Sequence, residues 1–147
     1  MTHNNEGFSL LELLVVVAII MIIATIALPR LVRSWQAARE ASAVAQIRTI
    51  NSVENTYISS NQGSFGSIPQ LISAGMIDSR FAGSISGYTF TLDASGNNYT
   101  VTATPVSVNS GRFGYYSAPD AVIRFLTTTT ATCIPCFPGN LSGAPVQ

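Results

Sequence analysis

One stretch constrains this chain more than any other: residues 8–28, FSLLELLVVVAIIMIIATIAL, where only Ser9, Glu12 and Thr25 interrupt an apolar run. At a helical rise of about 1.5 Å per residue the run extends roughly 30 Å, the thickness of a bilayer's hydrocarbon core. It reads as a membrane segment. Glu12 makes it more specific than an anchor. An acid at the centre of a membrane helix costs on the order of 2.5–3.5 kcal/mol, and less near an end, so this carboxylate needs a partner. No base lies inside the run, and Arg30 and Arg33 follow only after its far end. A cut between Gly7 and Phe8 would create a cation, an α-amino group four residues from Glu12, on the same helix face and at matching depth.

Gly7-Phe8 with Glu12, followed by a long apolar run that ends at Pro29, resembles the amino-terminal signature of type IV pilins and of the related pseudopilins of type II secretion. The resemblance implies cleavage after Gly7 by a prepilin peptidase, N-methylation of Phe8, and assembly into a helical filament in which Glu12 pairs with the Phe8 amine of a neighbouring subunit. It also implies membrane lipid as the environment before assembly, an inner-membrane assembly machinery as partner, and a cell-surface filament as the final location. Further segments look like a subgroup of bacterial pilin-like proteins: QIRTINSVENTYISSNQGSF, LISAGMIDS, GYTFTL, YTVTATP, SGRFGYYS and AVIRF. That similarity ends near Leu126.

The leader, residues 1–7 (MTHNNEG), is short and polar, unlike a general secretory signal. It also lacks the Lys or Arg usual in prepilin leaders. Arg30 and Arg33 taken alone would favour a cytoplasmic far end by the positive-inside rule, whereas the resemblance implies the opposite orientation. The more specific motif is followed here. Formal net charge is zero and the pI is near 6.5, which removes the electrostatic case for nucleic acid.

Pro29 sits where the run meets polar sequence. Inside a helix a proline removes one hydrogen bond and clashes with the preceding turn, so a kink is expected there in preference to a helix end, because the helical pattern resumes at once. From residue 30 to 60, Ala37, Ala41, Val44, Ile47, Ile50, Val53 and Tyr57 recur at three- and four-residue spacing, while Arg39, Glu40, Arg48 and Glu54 fall mostly elsewhere. This is an amphipathic helix. Its stripe is the surface that the small carboxy-terminal portion lacks, since a domain of that size buries only about 60% of its unfolded surface alone.

Ser67 can cap a short helix over residues 68–74, with Pro69 in its first turn and Gly75 as the stop. Strict apolar/Thr alternation in YTFTL (88–92) and YTVTA (99–103) marks two strands with one buried face, joined as a hairpin through DASGNN. A second pair is expected over 112–117 and 121–126. The expected architecture is α+β and pilin-like. A leader (1–7) precedes a long helix with a transmembrane half (8–28) and an amphipathic half (29–60), which packs on a four-stranded antiparallel sheet within 61–126. A Thr/Pro-rich surface tail (127–147) follows.

Cys133 and Cys136 form a C-x-x-C in that tail. A redox role would need a βαβ context and a zinc site two further ligands, so a small disulfide is expected. Asp78, Asp93 and Asp120 read as capping and turn residues. Asp120 beside Ser117 is a faint echo of the calcium loop that the resemblance brings with the major pseudopilins. The aromatics Trp35, Tyr57, Tyr115 and Tyr116 read as packing residues. No catalytic group, metal or other cofactor is expected. The functional expectation is a pilus-like filament subunit, with two alternatives: a major pseudopilin of type II secretion, or a membrane-tethered binding domain that never polymerises.

Overall fold

No glycine occurs between Gly7 and Gly63, so Pro29 is the one strong helix breaker in that span. Accordingly, the computed structural model, which describes residues 8–127 and 144–146, has a 51-residue helix α1 (Leu10–Ser60) that continues through Pro29. The proline does not end the helix. The chain divides into two compact units between Ser34 and Trp35. In the first unit, residues 10–28 of α1 are apolar but for Glu12 and Thr25 and almost all exposed among the described residues, a stretch long and apolar enough to cross a membrane.

The second unit holds the rest of α1, a short helix α2 (Ile68–Ser73), a 3-10 turn (Ser79–Ala82) and an antiparallel sheet. At the end of α1, Gln62 and Gly63 take positive φ (54° and 82°) and the Gly63 N–H donates to the Ile58 carbonyl at 3.1 Å. That closes the helix with a left-handed cap. The Ser67 N–H and hydroxyl both donate to Gln70 Oε1, at 2.7 and 2.9 Å, at the start of α2.

The buried stripe of α1 is Glu40, Ala43, Val44, Ile47, Ile50, Asn51 and Glu54. Ile47 and Ile50 are wholly buried together with Leu71, Tyr88 and Val101. Two expectations are corrected here. Ala37 and Ala41 are exposed, and Glu40 and Glu54, expected off the stripe, lie on it. Spacing alone does not separate these neighbouring helical faces; the partners that the sheet brings up do.

The fold is α+β as expected, but among the described residues the sheet has six strands, each paired with its neighbours in chain order, not four. The central hairpin β2 (Tyr88–Ser95) and β3 (Asn98–Pro105) runs in register from Tyr88↔Pro105 to Ser95↔Asn98, with the turn shortened to Gly96-Asn97. Tyr88, Phe90, Leu92, Tyr99, Val101 and Ala103 face the core. On the opposite face the Thr91 and Thr102 hydroxyls meet at 2.6 Å. Next come β4 (Phe113–Ser117) and β5 (Arg124–Thr127).

The two added strands are only two residues long. β1 (Ser84–Ile85) folds back on β2 through Ser86-Gly87, both at positive φ, and β6 (Ala144–Pro145) pairs with β5. Val146 then donates its N–H to the Ile123 carbonyl at 2.8 Å. Part of the expected surface tail is therefore a sheet edge. Strands this short carry no readable alternation.

Tyr88 is fully buried and donates to the Phe113 carbonyl at 2.9 Å. A Cβ built at Gly111 would run into that hydroxyl. Gly111→Ala is expected to cost about 2 kcal/mol through forced repacking, read as a lower thermal midpoint of the detergent-solubilised chain; an unchanged midpoint would mean the loop yields freely.

Candidate functional site

The amino-terminal end of α1 begins where Ser9 offers its carbonyl to two N–H groups, Glu12 at 3.1 Å and Leu13 at 3.2 Å. Phe8 and Ser9 precede the helix. Glu12 therefore sits in the first turn, where unsatisfied N–H groups and the helix dipole favour a negative charge. Around it Phe8, Leu10, Leu11 and Leu13 are 58–81% exposed, so among the described residues the acid is set in an exposed apolar surface. Further along, the Thr25 hydroxyl donates to the Ile22 carbonyl at 2.7 Å and so carries its polar group internally through apolar sequence. Gly7, Cys133 and Cys136 lie outside the described residues.

Residues 2–28 match the family described as the prokaryotic N-terminal methylation motif. The chain carries the prepilin-type signature of type IV pilins and pseudopilins. No curated protein and no solved structure matches the chain. The motif supports a pilin- or pseudopilin-like precursor, and it overlaps the start of a helix long and apolar enough to cross a membrane. In a prepilin-type chain, Phe8 and Glu12 are the described residues at which processing and assembly chemistry would converge.

Beyond the signature, polar groups hold the second unit together at positions that hydrophobic periodicity did not single out. The Glu40 carboxylate takes three hydrogen bonds from Arg112: the backbone N–H at 2.8 Å, Nε at 3.1 Å and Nη2 at 2.8 Å. Burial pushes this carboxyl up, but the Arg112 hydrogen bonds and charge outweigh that and hold it below its ordinary value. The clamp ties α1 to the start of β4. A second network is fully buried: Tyr99 donates to Asn51 Oδ1 at 3.0 Å, and Asn51 Nδ2 donates to Ser117 Oγ at 2.9 Å. Burial, with the Glu54 and Asp120 charges behind it, pushes the Tyr99 phenol up to about 12, so it remains a protonated donor.

Glu54 is the outlier. It is completely buried; among the described residues its Oε2 accepts only the Gly66 N–H, at 3.1 Å, and Oε1 has no hydrogen-bond partner. Burial raises its carboxyl, and the Gly66 N–H offsets that only in part. The folded state thus holds this proton to higher pH than the unfolded chain does. The resulting stability is complete below the unfolded carboxyl value and falls away as pH rises through the folded one. Glu40 has the opposite sign: its contribution is present above the unfolded value and is lost as pH falls through the folded one. Glu54→Gln is expected to raise stability at neutral pH by on the order of 1 kcal/mol and to flatten that side of the profile. Thermal unfolding across pH reads this, and an unchanged slope overturns it.

Asp120 and Ser117, the pair behind the calcium echo, take separate partners. Asp120 Oδ1 accepts from the Val122 N–H at 3.1 Å and Oδ2 from Arg124 Nη2 at 2.6 Å, while Ser117 faces Asn51 instead. Asp78 caps the 3-10 turn through the Arg80 N–H at 2.8 Å, as a capping residue should. Asp93, read as a turn residue, lies on the exposed face of β2. Among the described residues no three His, Cys, Asp or Glu side chains come together.

Proposed function

We propose that this chain is the repeating subunit of a type IV pilus-like filament: a membrane-inserted precursor, cut after Gly7, methylated on Phe8 and polymerised through α1. The observation that carries the reading is a helix whose residues 10–28 are apolar on nearly every side and exposed among the described residues, with one acid in its first turn inside a matched N-terminal methylation motif. Such a surface is compatible with lipid before assembly and with copies of itself afterwards. Association of unlike surfaces is open-ended, as a fibre requires. Glu12 sets axial register by pairing with the Phe8 amine of the adjacent subunit, and Pro29 gives the helix a place to adjust on leaving the bilayer.

The test is electron microscopy of material sheared from the cell surface, with mass spectrometry of its amino terminus. Fibres containing a peptide that begins at N-methylated Phe8 are the expected result. A mature chain that begins at Met1 overturns the reading. Deletion of the chain separates a surface pilus from a secretion pseudopilus: loss of visible fibres marks the first, and exoproteins stranded in the periplasm the second.

A further inference from the structure

The loop between β3 and β4 presents two valines to solvent, Val106 at 61% and Val108 at 67% exposure. It is held against α1 by two contacts. Gln36 Nε2 donates to the Val108 carbonyl at 3.1 Å, and Arg39 Nη1 donates to the Asn109 carbonyl at 3.4 Å. The Arg39 stem also lies against the loop's neighbour Gly87, within 3.5 Å of where a Cβ would stand. Trp35, the chain's single tryptophan, is 58% exposed and shares a helix face with Arg39 one turn on. The second unit thus shows water an aromatic and two valines close to where its helix enters from the apolar run.

Two observations indicate what covers this patch. Trp35 lies seven positions beyond Leu28, the end of the apolar run; even fully extended, that tether reaches only about 25 Å, and as helix about 10 Å. The patch is therefore confined to the vicinity of any bilayer that holds the run. The charge also has one sign. Between Leu13 and Arg39 the chain carries Arg30, Arg33 and Arg39 and no acid, and the next acid, Glu40, is already matched by Arg112. Cations beside tryptophan and aliphatic groups suit an interface with anionic headgroups.

From this we infer that the 106–111 loop and Trp35 form a foot that rests on an anionic phospholipid surface while the chain is membrane-inserted. Val106 and Val108 enter the headgroup boundary, and Arg39 meets lipid phosphate. The inference rests on the membrane reading of the apolar run, and the experiment separates the two. The full-length W35F/V108W chain is reconstituted into phosphatidylcholine vesicles with or without phosphatidylglycerol, using brominated acyl chains, and W35F/N97W serves as control at the distant β2–β3 turn.

The expected result is strong quenching of the position-108 indole by brominated lipid, protection from acrylamide, and a marked loss of both without phosphatidylglycerol. The position-97 indole should stay unquenched by lipid and open to acrylamide. A position-108 indole open to acrylamide in carbonate-resistant vesicles overturns the foot and leaves the membrane reading standing. Carbonate-extractable protein overturns the membrane reading itself. Protection that tracks the protein-to-lipid ratio, without bromolipid quenching, assigns the patch to a second copy and likewise overturns the proposal.

Discussion

Glu12→Ala is expected to leave cleaved, membrane-inserted chain at its normal level and to reduce filament yield by roughly thirtyfold or more. The two outcomes differ for one reason. In lipid the carboxylate is a cost, so its removal makes residence in the membrane easier. In the proposed filament it is half of a desolvated charge pair. Truncating one partner of such a pair costs about 2–5 kcal/mol, and each 1.4 kcal/mol is about a tenfold loss in association. Repeated at every subunit, that penalty stops elongation. Sheared filaments measured against processed membrane protein provide the readout. Glu12→Asp keeps the charge and moves it by one methylene, so an intermediate yield is expected. Normal fibres from the alanine variant would refute the pairing role.

Glu40→Ala is expected to destabilise the second unit by about 3 kcal/mol. Breaking a buried ion pair costs more when both partners are enclosed; here the Arg112 side chain is half exposed and can recover water, which sets the figure toward the low end. What it cannot recover so easily is the acceptor for the Arg112 backbone N–H, which the same carboxylate supplies. Glu40→Gln retains an acceptor for that N–H and should lose less. Thermal unfolding of the solubilised chain reads both, and the acid-side fall in stability should weaken in each variant, because the group responsible is absent. A variant as stable as the parent would show that the clamp merely sits where packing already holds β4.

Much of this protein was legible in one dimension. The apolar run, the acid near its start and the glycine before Phe8 led to the prepilin-type signature, because lipid leaves few options for a carboxylate. The β2–β3 hairpin was equally plain: alternation of Tyr, Phe, Leu and Val with Thr has a period of two, and a period is a property of sequence. The centre of the buried stripe of α1, Val44, Ile47 and Ile50, was legible too, but tertiary structure alone decided its edges. Ala37 looked inward and is exposed, whereas Glu40 and Glu54 looked outward and are buried, because Arg112 and Gly66, distant in the chain, arrive to meet them. The outer strands β1 and β6 were likewise invisible, since two residues acquire strand character only from the neighbour they pair with. A local pattern reports which solvent a segment prefers; whether a polar group can be buried depends on a partner that only the folded chain supplies.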